Sequence, residues 1–517
     1  MKQKTWIISA LMCAMVIMVC LGVLHLLKEM TENNAPSGTV AEESTDHTEP
    51  EIDFAEEEET KEDIAETGSE EEESDVPVER EEGYYGWKQE LPQIFPSVPE
   101  EVPYEPPRLI LATDLHYQSA QADDGGAAFQ LFVERGDGKV VKYLPELLEA
   151  FMDQVIEEHP SALVLSGDIT MNGEKINHEE LARGLMRVQD AGIPVLIVPG
   201  NHDINNPHAA VYFGEEKAET DPVTPEEFYN IYHMYGYDQA ISRDDASLSY
   251  VYQLDERNRL LMLDTCQYEP KNMVEGQLKV ETLRWADEQL KKAKEDGMNV
   301  LPIGHHNLLA QSRMYTTQCA MNNNGDVIEL FQKYELPLYL SGHLHVQRIR
   351  KHKAEPGAAD DSYGIMEIVT DALSIPPCQY ALLEWKRDGS MEYSTKAVDV
   401  SAWAARTGSQ NPDLLDFEGW SERYIQKLII DQIRGVVKNL GNDVEHSMAE
   451  VYASVYIDYY AGRRIDAKGI RSSKGYRWWE RNMPDSYLLK ELDAMIDDSD
   501  RDNNYMLLPE VNAAAEE

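Results

Sequence analysis

Residues 195–203 read Val-Leu-Ile-Val-Pro-Gly-Asn-His-Asp, an apolar run that stops at Pro-Gly and then presents an amide, an imidazole and a carboxylate in succession. The run is too short for a helix and shows no polar alternation, so it reads as a strand buried on both faces. Four further runs end in the same manner. Residues 109–113 lead into Asp114-Leu115-His116, 162–166 into Gly167-Asp168, 300–304 into His305-His306, and 337–341 into Gly342-His343-Leu344-His345. Residues 260–264 form another run of this kind, and 145–158, 178–191 and 280–296 have helical spacing. Alternating buried strands and helices predict a layered α/β domain. In such a sheet the carboxyl ends of the strands converge on one rim, where sites form. Residues 364–370, 381–386 and 392–398 follow as more consecutive strands, which predicts a sheet edge closing the domain near residue 400.

Each cluster alone is a common turn; five of them at strand ends point to shared chemistry. Aspartate and histidine suit borderline divalent metals such as Mn, Fe, Zn, Co or Ni. Two such ions about 3.5–4 Å apart can clamp the oxygens of an in-line displacement at phosphorus. A pair of ions needs a shared carboxylate, and Asp168, alone at its strand end, is the candidate bridge.

The order Asp-x-His, Gly-Asp, Gly-Asn-His-Asp, Gly-His-His and Gly-His-x-His resembles that of the calcineurin-like metallophosphoesterase superfamily, over residues of about 108–400. The resemblance implies an α/β fold, a layered β-sandwich flanked by helices. It also implies two divalent metal ions and hydrolysis of a phosphoester by a hydroxide held between them. Carried over by position, Asp114, His116 and His345 bind one ion, Asn201, His305 and His343 the other, and Asp168 bridges. His202 is the implied general acid, with Asp203 holding its imidazole. Of the adjacent pair, His305 directly follows the strand-ending glycine and is taken as ligand, while His306 is expected to face substrate. Tyr117 and Asn172, just beyond ligand positions, are further candidates for substrate contact. Ile169–Lys175 with His178, Asp203–Pro207 and Ser247–Tyr250 extend the likeness to a bacterial secreted cyclic-nucleotide phosphodiesterase-like branch with a helical C-terminal domain. A phosphodiesterase acting on a nucleotide or related small molecule is therefore expected. A phosphomonoesterase or a non-catalytic scaffold of the same fold are the alternatives.

The rest of the 517-residue chain is organised around that domain. Lys2 and Lys4 precede an uncharged run from Trp6 to Leu27, long enough to span a bilayer. Residues 1–30 thus read as a single-pass anchor, with the catalytic domain outside the cytoplasm, or as a signal peptide whose cleavage would release a secreted protein. Residues 31–105 read as an extended acidic linker: Glu42–Glu82 holds 21 acids against Lys61 and Arg80. A net charge of −49 argues against binding to nucleic-acid duplexes. The catalytic domain is expected over 106–400 and a helical C-terminal domain over 401–517, with helices at 413–439, 444–463 and 486–497. The basic aromatic patch, Arg463-Arg464 with Lys468–Arg481, either packs against the catalytic domain or meets a nucleotide. Cys266, Cys319 and Cys378 show no zinc spacing; a Cys266–Cys378 or Cys319–Cys378 bridge stays open.

Overall fold

The computed structural model describes residues 104–313, 318–352 and 364–508. The expected anchor and nearly all of the acidic linker lie outside them. No helix among the described residues is long and apolar enough to cross a membrane.

Two mixed sheets dominate. In the first, β1 (Arg108–Ala112), β2 (Ala162–Ser166) and β3 (Val195–Val198) run parallel. β13 (Gln379–Trp385), β14 (Met391–Ala397) and β15 (Tyr505–Leu508) continue it antiparallel, in the order β15-β14-β13-β1-β2-β3. The second contains β6 (Ser242–Arg243), β7 (Tyr250–Gln253), β8 (Asn258–Leu263), β9 (Asn299–Gly304), β10 (Leu338–Ser341), β11 (Arg348–Lys351) and β12 (Met366–Val369). Its order is β11-β12-β10-β9-β8-β7-β6, with β8, β9, β10 and β12 parallel. A hairpin of β4 (Ala210–Phe213) and β5 (Glu216–Glu219) stands apart.

The strand period explains the layers. In β8, Leu260 and Met262 join the core that holds Leu109, Ile110 and Leu163. Leu261 and Leu263 point the other way, to Ala286 and Leu290 of helix Val280–Glu295 and to Phe331 of helix Asn324–Lys333. On the first sheet's side, helix Leu144–Glu158 buries Leu147, Leu148, Phe151 and Val155, the 3.6-residue stripe that ordered it in the sequence. The Phe151 ring meets the Tyr380 ring of β13 at 5.2 Å. Residues that have apolar cover on both faces form β1, β2 and β3, as their unbroken apolar runs require.

After β14 the chain is helical: Val400–Thr407, Pro412–Leu415, Phe417–Val436, Asn442–Tyr460, Ala467–Ser472, Lys474–Asn482 and Tyr487–Asp498. The helix expected at 413–439 is interrupted at Asp416, whose φ of −130° is not helical. The region is not helical to its end, because β15 returns to pair with β14. Trp479 of the basic aromatic segment packs not on the catalytic domain but on helix Asn442–Tyr460: it is fully buried and its indole N–H donates to Met448 O at 2.9 Å. Arg481 lies over the Trp478 ring, 4.9 Å from its centroid. Cys378, common to both bridges left open by the sequence, is a buried free thiol, so neither forms.

Within this helical core the Glu491 carboxyl sits beside the Tyr452 hydroxyl, and burial pushes it up from 4.5 to about 8. The folded chain keeps a proton that the unfolded chain has released, so stability is full below the unfolded value and falls as pH rises across that interval. The slope is at most about 1.4 kcal/mol per pH unit. Calorimetric melting temperatures are expected to drop between pH 5 and 8.5, and Glu491→Gln is expected to flatten that drop. An unchanged slope in the variant would assign the loss to other groups.

Candidate metal centre

The loops that follow β1, β2, β3, β9 and β10 meet at one rim. They bring together all seven residues expected as ligands. Two interlocking groups result: Asp114, His116, Asp168 and His345, and Asp168, His305 and His343, with the potential ligand atoms of each group within 4.8 Å of one another. Asn201 completes the second group, its Oδ1 lying 3.3 Å from His305 Nε2. Asp168 belongs to both.

The backbone of the rim is unusual. Asp114, His116, Asp168, His343 and His345 all have positive φ, between 45° and 73°. For residues with a Cβ this left-handed region costs roughly 1–2 kcal/mol each. It persists where surrounding bonds over-determine it, as at functional sites. Here Asp114 N–H donates to Gly167 O at 3.0 Å, His116 N–H to Asp168 O at 2.9 Å, and His343 N–H to Asp114 Oδ2 at 2.9 Å. Two glycines are needed for close approach. A Cβ on Gly200 would lie 2.1 Å from Asp168 N, and one on Gly342 would lie 2.1 Å from Thr113 Oγ1 and 2.5 Å from Asp114 Oδ2.

Each side chain is aimed by a second bond. His305 Nδ1–H donates to Ser166 O (3.0 Å), which turns Nε2 to Asp168 Oδ2 (3.3 Å). His343 Nε2–H donates to Gln318 O (2.8 Å), leaving Nδ1 bare. His345 Nε2 lies 3.2 Å from Asp114 Oδ1 and 3.0 Å from His116 Nε2. Asp168 Oδ1 accepts from His202 N–H (2.7 Å), so Oδ2 is left facing His305, His116 and His202. Asp114 Oδ1, Asp168 Oδ2 and His343 Nδ1 are buried and have no hydrogen-bond partner among the described residues. Orphaned acceptors of this kind are costly unless a cation meets them. The donor set, imidazole nitrogens and carboxylate oxygens around one shared carboxylate, fits two borderline divalent ions. The same demand for positive charge shows in His305: burial works against its protonation, yet the Asp168 carboxylate outweighs burial and lifts it to about 9.

Four of the expected site residues are placed differently from their anticipated roles. Asp203 does not touch the His202 ring. Its carboxylate accepts from the backbone N–H groups of Gly200 (2.8 Å), Ile169 (3.2 Å) and Thr170 (2.9 Å) and from Thr170 Oγ1 (2.9 Å). It fastens the loop after β2 to the loop after β3, and burial together with the Asp168 charge pushes it up to about 7. The His202 ring is held instead by Met171 O and Asn172 Oδ1, at 2.8 and 3.1 Å from Nδ1. Asn172 is therefore a partner of His202. His306 does not face the rim opening: Nδ1 accepts from Thr265 Oγ1 (2.8 Å) and Nε2–H donates to Val274 O (3.0 Å), on a fully buried ring. Its ring lies 4.5 Å from that of His343 and 5.0 Å from that of His305, with both of its nitrogens taken by the protein. Tyr117 is buried with its hydroxyl towards Glu180 and is not part of the cluster.

Asp203→Ala would strand several buried donors, at about 1–3 kcal/mol each. A loss of roughly 3 kcal/mol or more in chemical denaturation is therefore expected. A variant of native stability that only lost activity would restore Asp203 to the orienting role.

Residues 107–347 match the calcineurin-like phosphoesterase family, and residues 399–502 match the C-terminal domain of cyclic nucleotide phosphodiesterase. No curated protein matches the chain. Among solved structures, it is similar to a dimetal phosphatase from Danio rerio, with 16% identity, a TM-score of 0.42, and 57% of this chain and 97% of that one covered. It is similar to a purple acid phosphatase from yellow lupin (Lupinus luteus) seeds at 13% identity and a TM-score of 0.39, over 57% of this chain and 52% of that one. PhoD matches at 10% identity and a TM-score of 0.33, over 56% of this chain and 66% of that one. The family match and the doubled Asp/His cluster agree, and the chain carries a calcineurin-like phosphoesterase domain, a metal-dependent hydrolase of phosphoric esters.

Proposed function

We propose that the chain is a phosphodiesterase acting on a nucleotide or a related small phosphodiester. The observation that carries this reading is the match of residues 399–502 to the C-terminal domain of cyclic nucleotide phosphodiesterase. That region also shares a core with Leu344 and Val346, on either side of His345.

In this reading Asp114, His116 and His345 would hold one divalent ion, Asn201, His305 and His343 the other, and Asp168 would serve both. Bound ions there supply Lewis-acid stabilisation of the phosphoryl oxygens and lower the pKa of water. The protein's own part is to aim the ligands, as Ser166 O and Gln318 O do for His305 and His343, and to place a proton donor. His202 is that donor. Met171 O and Asn172 Oδ1 accept its Nδ1–H and support the imidazolium, while Nε2 lies 4.0 Å from Asp168 Oδ2 and faces the rim. A quarter of its side chain is accessible, whereas the seven expected ligands are buried.

A panel of substrates with the purified protein and Mn²⁺ tests the proposal: cyclic nucleotides, bis-p-nitrophenyl phosphate, glycerophosphodiesters and p-nitrophenyl phosphate. Diesters turned over at higher kcat/KM than the monoester is the expected result. Preference for the monoester would make the enzyme a phosphatase, and no turnover of any with both ions bound would make the fold a scaffold.

A further inference from the structure

His345 is held from two sides by residues outside the family's strand-end motifs. Its Nε2 is turned into the cluster, and its other ring nitrogen, Nδ1, lies 3.4 Å from Asp137 Oδ2. Asp137 belongs to the Gly136–Lys139 loop, which follows helix Ala127–Glu134, and Lys139 Nζ sits 2.6 Å from the same oxygen. This loop is fixed by the C-terminal helix Phe417–Val436. Tyr424 OH donates to Lys139 O (3.1 Å) and Gln432 Nε2 donates to Gly136 O (3.1 Å). Between those anchors Gly138, at φ 113°, lies against Ile425, where a Cβ would come within 2.7 Å of Cδ1.

The backbone of His345 is fixed by the same region. Leu344 and Val346 are buried in the core formed by the C-terminal helices. Gln347 N–H donates to Tyr460 O (2.8 Å), and the Arg348 guanidinium lies over the Tyr459 ring at 4.6 Å. His305, by contrast, takes its aim from Ser166 at the end of β2, within the catalytic sheet.

We propose that the C-terminal helical region is a working part of the metal centre: through Tyr424, Gln432 and Asp137 it sets how tightly the position served by Asp114, His116 and His345 holds its ion. Asp137 is a positioning residue. It takes the Nδ1–H of His345, fixes the tautomer that leaves Nε2 free to coordinate, and makes the ring a better donor. Loss of such an outer partner characteristically weakens metal binding 10–100-fold. The inference rests on the assignment of His345 as a ligand, so the experiment separates the two.

The measurement is a calorimetric titration of the metal-stripped full-length protein with Mn²⁺, for the parent and for Asp137→Asn, Asp137→Glu and Tyr424→Phe. The parent is expected to show two binding events. Asp137→Asn should weaken one of them by about 10–100-fold and leave the other unchanged. Asp137→Glu should recover part of the loss. Tyr424→Phe removes a hydroxyl without changing packing and should weaken the same event several-fold. Melting of the metal-free Asp137→Asn protein should match the parent. Fewer than two events in the parent would overturn the ligand assignment itself. Two parental events that Asp137→Asn leaves unchanged, or weakens equally, would overturn this proposal alone. Tyr424→Phe binding like the parent would remove the helical region from it.

Discussion

Asp168→Asn is expected to strip the centre of both ions. Asp168 is the one residue common to both groups; its Oδ2 lies 3.3 Å from His305 Nε2 and 3.9 Å from His116 Nε2, and Oδ1 is already committed to the His202 N–H at 2.7 Å. The substitution keeps size and shape but removes the charge that lifts His305 and that two cations would have in common. Since loss of even an outer partner costs 10–100-fold in affinity, loss of the shared inner carboxylate should cost at least about 100-fold at each position. Elemental analysis after desalting should find two metals per chain in the parent and none retained in the variant. One tight metal in the saturated parent would end the binuclear reading. Two metals retained by Asp168→Asn would end its role as bridge.

His202→Ala should keep both metals and lose activity in proportion to how much the leaving group needs a proton. The ring is held through Nδ1, and its Nε2 is not committed to any protein hydrogen bond among the described residues. Burial pulls its pKa below the ordinary value while Asp168 works the other way. A general acid contributes roughly 10²–10⁴-fold. Hydrolysis of a ribose or alkyl ester should therefore fall by about 10²-fold or more, and that of a p-nitrophenyl ester by less. Equal losses on both esters, with metal content intact, would favour charge stabilisation over proton donation. Loss of metal would make His202 a ligand.

The sequence made the ligands legible for a physical reason. Strands covered on both faces must be continuous apolar runs, so a polar cluster directly after each run is conspicuous, and parallel strands bring such ends to one rim. What aims the ligands was not legible. Met171 holds His202 through its carbonyl, as Ser166 holds His305, and a carbonyl carries no side-chain signature. Asp203 looked like a partner for His202 because they are adjacent, yet in the turn at 200–203 the two side chains part, and three of the four donors that Asp203 meets belong to the loop after β2. His306 looked free for substrate because it stands beside a ligand, yet Thr265 and Val274 take both of its ring nitrogens. Asp137 stands in Gly-Asp-Gly-Lys, readable as an ordinary turn, and only the tertiary fold carries it to His345, 208 positions further on. Among secondary elements, β5 was missed because Glu-Lys-Ala-Glu is exposed throughout and shows no apolar period. Helix Val400–Thr407 was missed because its Asp399 cap directly follows the end of a strand.

The pairing of β15 with β14 has a consequence for how the protein is made. The helices between Val400 and Asp498 are an excursion inside a hairpin of the catalytic sheet, since both of its flanks are strands of that sheet. During synthesis, β14 emerges long before its partner and presents an unsatisfied edge until β15 leaves the ribosome. Such an edge is a template for pairing with other chains. Its closure requires contacts far apart in sequence, which form late and slowly. The early helical core therefore has a second duty: to fold while the edge waits, and to bring the tail back to it. A chain ended at Asp498 would retain every residue of the metal cluster and still lack the strand that covers the edge of β14.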